Sequence, residues 1–300
     1  MIWVNQVVQG VLLGGYYAVL ACGLSLMFGV MRIINLAHGD LAVLGAFAVW
    51  VLAAHHGVSP WLALVFVLPA MAALGWLLQR TMLERSLRAG VLTPLLTTFG
   101  LAIVIQNLLF ERYGADTRSL FPNLGTLGYS SWSITSEITV AKLYVLIFAV
   151  AIALLGGLHL TLRHTHFGRS LRATAEDADT AELVGVNSRA VYALAAAIAV
   201  ATAALAGAFL GMRSSFNPYT GSEQLIFAFE AVVIGGMGSL WGTLLGGIVL
   251  GVSQNVGAQI NPQWFLLAGN FVFLAVLVGR LLLGGLSARG GFSAIVGRRR

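Results

Sequence analysis

Long stretches of this chain carry no charged side chain, and they limit what it can fold into more than any other feature. Five of them cover residues 1–31, 41–79, 89–110, 143–162 and 190–212. A helix needs about 20 apolar residues to cross a bilayer, so each stretch is long enough to contain a span. Only 9% of the residues are charged, against about a quarter in soluble globular chains. The sequence therefore predicts an all-α polytopic membrane protein and excludes a water-soluble fold.

Arginines cluster in the short polar segments between and after these stretches, at residues 80–88, 163–189 and 280–300. Because positively charged loops are retained on the cytoplasmic side of a membrane, we expect all three segments to be cytoplasmic. The polar, slightly acidic segment 111–137 is expected to be a periplasmic loop. The arginines form no continuous basic face, so a nucleic-acid partner is not indicated. We interpret residues 1–300 as one transmembrane domain.

The number of crossings follows from this arrangement. Between the cytoplasmic loop 163–189 and the tail the chain must cross an even number of times, yet hydropathy gives only three peaks. The stretch 224–257 is too long for one helix and contains several glycines, which permit a sharp turn. We therefore predict two short helices that meet near Gly238, an N-terminus on the outside, and about eight to nine transmembrane helices in all. Residues 32–40 are expected either to reach the cytoplasm or to dip back into the protein.

Polar residues at membrane depth are costly unless they face a cavity or a partner, and they define our candidates for lining or gating a transport path. These are Asn35, His38, Gly39, Asp40, Gln106, Asn107, Glu230, Gly235, Gly236, Gly238 and Ser239. Alternatives remain open for each group. Asn35 and Asp40 could cap helix ends, Gln106 and Asn107 could only join helices, and Glu230 could be a solvated or protonated structural acid.

The loop 163–189 mixes charges with small apolar residues at helical spacing, which is typical of a short surface helix that docks a partner protein. A merely solvated loop is the alternative. The chain itself has no phosphate-binding P-loop, since its only lysine, Lys142, lacks the glycine pattern. With one cysteine, Cys22, it cannot form a cysteine metal cluster. A channel, a secondary transporter or an intramembrane enzyme that uses His38, Asp40 and Glu230 remain alternative functions.

Three strings in the chain resemble a known family. They are IINLAHGD at 33–40, RATAEDADTAELVGVN at 172–187 followed by an alanine-rich helix that ends ALAGAFLG, and AFEAVVIGGMGSLWGTLLGGIVLG at 228–251. In this order they resemble the branched-chain amino acid ABC transporter permease family, in its LivH branch, from about residue 7 to residue 283.

The resemblance implies an ABC importer permease fold in the bacterial inner membrane. It implies as partners a second, LivM-like permease, two cytoplasmic ATP-binding subunits and a periplasmic solute-binding protein, with membrane lipid around the spans. No cofactor is expected on this chain, because ATP and Mg²⁺ belong to the partner subunits. The implied ATPase coupling loop contains Arg169, Arg172, Ala175, Glu176, Asp177, Ala181, Leu183, Gly185 and Asn187. The substrate would be a branched-chain amino acid or a related small solute.

Overall fold

The computed structural model describes the backbone of residues 2–90, 92–135 and 138–296. Its helices are α1 (Ile2–Met31), α2 (His38–His56), α3 (Pro60–Leu78), a π-helical turn (Gln79–Leu83), α4 (Glu84–Arg88), α5 (Thr93–Tyr113), a 3-10 turn (Phe121–Leu124), α6 (Thr126–Tyr129), α7 (Lys142–His164), α8 (His166–Glu176), α9 (Ala178–Leu183), α10 (Ser188–Arg213), α11 (Thr220–Gly235), α12 (Leu240–Ile260) and α13 (Trp264–Val296). Two short strands, β1 (Ser131–Thr135) and β2 (Ile138–Ala141), form an antiparallel hairpin.

Six of the described helices are long and apolar enough to cross a membrane: α1, α2, α3 with its extension, α5, α7 and α10. The helices α11 and α12 form one further apolar unit that is bent by 115°. The apolar part of α13, Trp264–Arg280, is shorter. The prediction of an all-α polytopic membrane protein is therefore confirmed. The number of eight to nine spans stays a prediction, because it depends on how the bent pair and α13 are counted.

Helix α1 forms the centre of the bundle and is buried on all sides over most of its length. Small residues make this possible, because they let helix backbones approach closely. A Cβ atom added to Gly10 or Gly14 would lie 2.8 Å from the carbonyl oxygens of Gly251 and Gly247 in α12. On another side, a Cβ at Gly23 would lie 2.9 Å from the Cα of Ala199 in α10. Helices α10 and α12 therefore hold α1 between them.

This packing predicts a sharp difference between two glycines. Gly14→Ala should reduce the yield of folded protein, because the added methyl group has no room beside α12 and overpacking costs about 1–3 kcal/mol. Gly156→Ala, in α7, should be neutral, since nothing lies within 4 Å of a Cβ at that position. Thermal stability of the two purified variants, followed by fluorescence-detected size-exclusion chromatography, measures the difference. Equal melting temperatures would contradict the close approach of α1 and α12.

The loop predicted to be periplasmic contains more structure than its composition indicated. The 3-10 turn, α6 and β1 occupy it, β2 follows it directly, and Arg118 pairs with Phe216 in an isolated antiparallel bridge. Gln9, near the start of α1, donates from Nε2 to the carbonyl oxygen of Thr139 in β2, at 2.7 Å. The start of α1 and the hairpin therefore lie at the same end of the molecule, as an outward-facing N-terminus requires. Residues 136 and 137 of this loop lie outside the described part.

The predicted tail is helical rather than irregular, because α13 continues to Val296. The last three arginines, Arg298–Arg300, lie outside the described residues. At the same end of the bundle, Arg189 Nε lies 3.1 Å from Glu84 Oε1. This ion pair joins the start of α10 to α4, so two of the arginine-rich segments meet.

Candidate functional site

The chain turns back into the bundle directly after α1. Arg32 adopts a φ of 54°, in the left-handed region that non-glycine residues rarely occupy, and Asn35 Oδ1 accepts a hydrogen bond from the Ala37 N–H at 3.0 Å. Leu36 N–H donates to Thr98 Oγ1 of α5 at 3.1 Å. Residues 32–37 therefore lie against α5 and lead back into the bundle from the end of α1, and we call them the re-entrant segment. Asn35 therefore shapes the turn before α2 without capping the helix, whose N-cap residue, Ala37, has no side-chain cap hydrogen bond.

His38 marks how deep this segment reaches. Its side chain is fully buried, and Nε2 lies 2.7 Å from the carbonyl oxygen of Leu20, in the middle of α1. Because a carbonyl oxygen can only accept, Nε2 must carry a proton. Leu20 precedes the end of α1 by roughly 16 Å of helix, so α2 begins near the middle of the bundle. The other ring nitrogen, Nδ1, is buried and has no hydrogen-bond partner.

Asp40 and Gln106 are brought together by three helices. Asp40 Oδ1 accepts from Gln106 Nε2 at 2.9 Å, and the same amide nitrogen lies 3.2 Å from Ser222 Oγ at the start of α11. Gly39 allows this contact, because a Cβ there would lie 2.8 Å from the Leu225 nitrogen. Asn107 is not part of the cluster: it is exposed and donates from Nδ2 to the Ile103 carbonyl of its own helix at 2.8 Å.

Glu230 is the most unusual of the candidates, because its carboxylate is buried among apolar groups. The residue is 2% exposed, and Oε2 has no hydrogen-bond partner. It lines a cavity of about 500 Å³ together with Ile34, Leu36, Leu95, Leu225, Ile226, Phe229, Asn270, Phe273 and Leu274. A buried acid without a partner is strongly unfavourable, and inside a membrane it indicates function by default.

A second cavity continues this one toward the end of the bundle at which the arginine-rich segments meet, which we call the arginine-bearing end. Its volume is about 440 Å³, and Ile34 and Leu95 line both cavities. Arg32 and Gly90 lie at its far end. We call the two cavities together the Glu230 groove. The first cavity lies between the re-entrant segment, α5, α11 and α13, and the second lies between the end of α1, the re-entrant segment, α4 and α5. Neither cavity is closed off from the surface.

The predicted glycine turn is present, and it is a structural element. The positive φ angles of Gly236 and Gly238, 98° and 83°, are the conformations that favour glycine. Gly235 packs against α12, where a Cβ would lie 2.7 Å from the Thr243 nitrogen. Ser239 Oγ accepts from the Gly242 N–H at 3.1 Å and so caps α12. None of these four residues lines the Glu230 groove.

Sequence reasoning missed Arg280 at this turn. Its Nη2 atom donates to the carbonyl oxygen of Ile234 at 3.0 Å, one of the carbonyls that a helix C-terminus leaves without an intrahelical partner. Arg280 therefore ties α13 to the end of α11, one turn beyond Glu230. In the sequence Arg280 is a single charge at the end of an apolar stretch, which could have indicated a contact with a helix end. We interpreted it only as a marker of the cytoplasmic side.

The loop predicted to couple to an ATPase forms two short helices, α8 and α9. Asp177 caps α9: its carboxylate accepts from the Thr180 hydroxyl at 2.6 Å and from the Asp179 and Thr180 N–H groups at 3.0 and 3.2 Å. These bonds, led by the one from the Thr180 side chain, hold the pKa of Asp177 below its usual value. Asn187 likewise caps α10, accepting from the Ala190 N–H at 3.0 Å.

The other members of the predicted coupling loop divide into interior and exposed positions. Ala181 is buried and supports α9 from within, so it offers no surface to a partner. Arg172 Nη1 donates to the Leu162 carbonyl, and Ala175 lies beside it in a cleft. Arg169 and Glu176 are exposed, as is Gly185, which has a φ of 89°.

The end of α9 carries an exposed apolar pair. Leu183 is 87% exposed and Val184 is 78% exposed. Val184 was not among the predicted residues, although its position beside Leu183 in a polar loop was the available signal. Val184 also borders a cavity of about 320 Å³ between α8 and the start of α10. We call Leu183 and Val184 the α9 tip.

The polar candidates that the structure describes do not come together in one site. Within the described ranges, no three His, Cys, Asp or Glu side chains lie close enough together to hold a metal ion. His38 is directed to α1 and Asp40 to α5. Two separate features remain. One is the Glu230 groove with its buried carboxylate, and the other is the exposed, apolar α9 tip on a polar loop.

Comparison with known proteins shows the family of the chain. The family described as the permease component of a branched-chain amino acid transport system matches residues 6–281. The chain belongs to this permease family. The resemblance noted in the three sequence strings is thereby confirmed, and so is the prediction that the chain is a transport component and not an enzyme.

Several permeases are similar to this one along most of its length. The high-affinity branched-chain amino acid transport permease BraD of Pseudomonas aeruginosa (strain PAO1) is 32% identical over 271 residues, which cover 86% of this permease and 87% of BraD. LivH of Escherichia coli K12 is 31% identical over 266 residues, covering 84% and 85%. LivM of the same strain is 25% identical over 285 residues, covering 87% of this permease and 66% of LivM. No solved structure gives a significant match.

Proposed function

We propose that this permease is one of two membrane subunits of an ABC importer that carries branched-chain amino acids, or closely related small solutes, across the bacterial inner membrane. A second, LivM-like permease completes the membrane part. Two cytoplasmic subunits bind ATP and Mg²⁺ and drive transport, and a periplasmic solute-binding protein delivers the substrate. This chain binds no cofactor of its own.

The buried carboxylate of Glu230 in an apolar cavity is the observation that carries this proposal. A branched-chain amino acid has an ammonium group and an aliphatic side chain, and the cavity offers one acid surrounded by leucine, isoleucine and phenylalanine side chains. The ammonium would satisfy Oε2, which has no partner, and the aliphatic part would contact the apolar lining. An anionic solute would be repelled by the acid, and a small polar solute without an aliphatic part would gain nothing from the apolar lining.

The open side of the groove supports a second permease subunit. Helices α5 and α13 line the groove, and both leave large apolar side chains such as Leu96 and Phe271 exposed, at 70% and 71%. A path for polar solutes cannot remain open to lipid, because lipid offers no hydrogen bonds. Another subunit must therefore close it. The similarity of this chain to both LivH and LivM is consistent with two related subunits that face each other.

The α9 tip supports coupling to separate ATPase subunits. An exposed leucine and valine on a polar loop leave the aqueous phase only when a partner protein covers them, and their burial would then stabilise the contact. The segment also touches the spans, since Ser188 Oγ, at the start of α10, donates to the Ala178 carbonyl at 3.2 Å. A push on α9 would thus be transmitted to α10, and such rigid-body movements alternate access in transporters.

Reconstituted transport tests the proposal as a whole. The permease is co-expressed with its neighbouring permease, ATPase and binding-protein genes and placed in proteoliposomes that contain ATP, and uptake of labelled leucine is measured. We expect uptake that requires ATP and every subunit, and that excess isoleucine and valine inhibit but excess urea or glutamate does not. Leucine uptake without the ATPases would instead identify a channel or a secondary transporter. Inhibition by urea alone would reassign the substrate.

A further inference from the structure

A second cleft lies at the arginine-bearing end of the bundle, separate from the Glu230 groove. Its volume is about 600 Å³, and its walls are the last turns of α1 and α7, the helix α8 and the start of α12. Because α1 and α7 both end here, the cleft lies where the membrane spans give way to the polar segments. It therefore has the depth of a lipid headgroup rather than that of a transport path.

The charged groups of this cleft all have one sign. Arg163 and Arg172 line it and are exposed, and His159 lies beside them. No Asp or Glu is among the described residues of its lining. Arg172 uses Nη1 to bond the Leu162 carbonyl, but a guanidinium has five N–H donors, so donors remain for a ligand. The cleft consequently favours an anion.

Two further features of the cleft are directed at an anion. Helix α12 begins in it after Ser239, and the first N–H groups of a helix attract negative charge. Ser25 of α1 provides independent evidence: the side chain is fully buried, lines the cleft, and its Oγ has no hydrogen-bond partner. A buried hydroxyl without a partner is unfavourable, and an acceptor oxygen in the cleft would satisfy it.

An apolar stripe leads from the cleft along the membrane span. Trp241, Leu245 and Val249 follow one another at intervals of four residues on α12, so they share one face, and all three are exposed. The Trp241 ring meets His159 edge-on, with the ring centroids 6.2 Å apart. Tryptophan is typical of the membrane interface. The site thus has a basic end and an apolar end, as a phospholipid requires.

We propose that this cleft binds the phosphate headgroup of an anionic phospholipid, with the acyl chains against Trp241, Leu245 and Val249. Basic pockets between spans on the arginine-rich side of a membrane protein are suited to such lipids. A free phosphate ion would use the same polar groups, but it would leave the apolar stripe unoccupied. The bound lipid would join α8 to α1, α7 and α12, next to the predicted coupling loop.

Lipid titration of the intact protein tests this site. The permease, purified with the subunits that stay bound to it, is stripped of lipid in detergent and titrated with dioleoyl phosphatidylglycerol or dioleoyl phosphatidylcholine, and native mass spectrometry counts the bound molecules. We expect tighter binding of phosphatidylglycerol, weakened about fivefold by Arg163→Gln. Arg85→Gln removes an exposed arginine outside the cleft and should leave binding unchanged. Leu245→Asn should weaken lipid binding although every charge is kept.

Each opposite result overturns the proposal in a recognisable way. Equal affinity for the two lipids, or an equal loss in Arg85→Gln, means that no specific headgroup site exists. Displacement of phosphatidylglycerol by inorganic phosphate at comparable concentration, with Leu245→Asn unaffected, identifies a free-anion site. Lipid that binds to the isolated chain but not to the assembled protein shows that another subunit covers the cleft.

Discussion

Glu230→Gln should reduce leucine uptake about ten- to a hundredfold while leaving the assembled protein intact. The amide has almost the same shape as the carboxylate, so packing around Phe229 and Phe273 is kept. The glutamine amide has no negative charge to offer to the substrate ammonium. Because a hydrogen bond to a charged group contributes about 1.5–3 kcal/mol, its loss would account for the expected decrease in uptake. Initial uptake rates at several leucine concentrations, with subunit copurification measured in parallel, give the effect on binding and on rate separately.

Glu223→Gln is the matched control for this variant, because Glu223 lies on the same helix but is exposed. It should transport as the wild type does. Unchanged uptake by Glu230→Gln would assign the acid to a structural role. A loss of copurifying subunits in that variant would show that its effect is on assembly and not on the path.

The double variant Leu183→Asp with Val184→Asp should abolish ATP-driven uptake by detaching the ATPase subunits. Both side chains are exposed, so their replacement leaves the bundle unchanged. Burying a leucine or valine side chain contributes about 1.5–3 kcal/mol, and a carboxylate buried in its place is unfavourable unless it is paired. We therefore expect the affinity for the ATPase subunits to fall by about a hundredfold or more. ATPase copurification and hydrolysis stimulated by the loaded binding protein are the measurements.

Asp179→Asn is a suitable control, since Asp179 is exposed on α9 and gives only its N–H group to the cap. The structure makes other substitutions less informative. Gly185→Trp would force a bulky residue into a positive φ, and charge reversal of Asp177 would remove the cap of α9. Normal ATPase association in the α9 tip variant would show that the segment is only a linker.

The sequence predicted those features that local composition controls. Uncharged stretches located the spans, and glycines located the turn between α11 and α12. The hairpin β1–β2 was missed because its residues resemble those of an ordinary polar loop. The pairs His38–Leu20, Asp40–Gln106 and Arg280–Ile234 could not be predicted, because each joins two different helices whose relative placement only the folded bundle determines. Helix α1 is apolar on every side, so its sequence has no hydrophobic periodicity that indicates which of its faces packs against which neighbouring helix.

The central position of α1 has a consequence for how the protein is made. Gly14 of α1 packs against Ile248 and Gly247 of α12. Because α1 comes first in the chain, it leaves the ribosome long before α12, its main partner. At about 5–20 residues per second, α1 must reside in the membrane for roughly 10 to 50 s without that partner. During this time its glycine-rich surface faces lipid or the insertion machinery. Chains that stop before α12 would keep this α1 surface without the helix that packs against it.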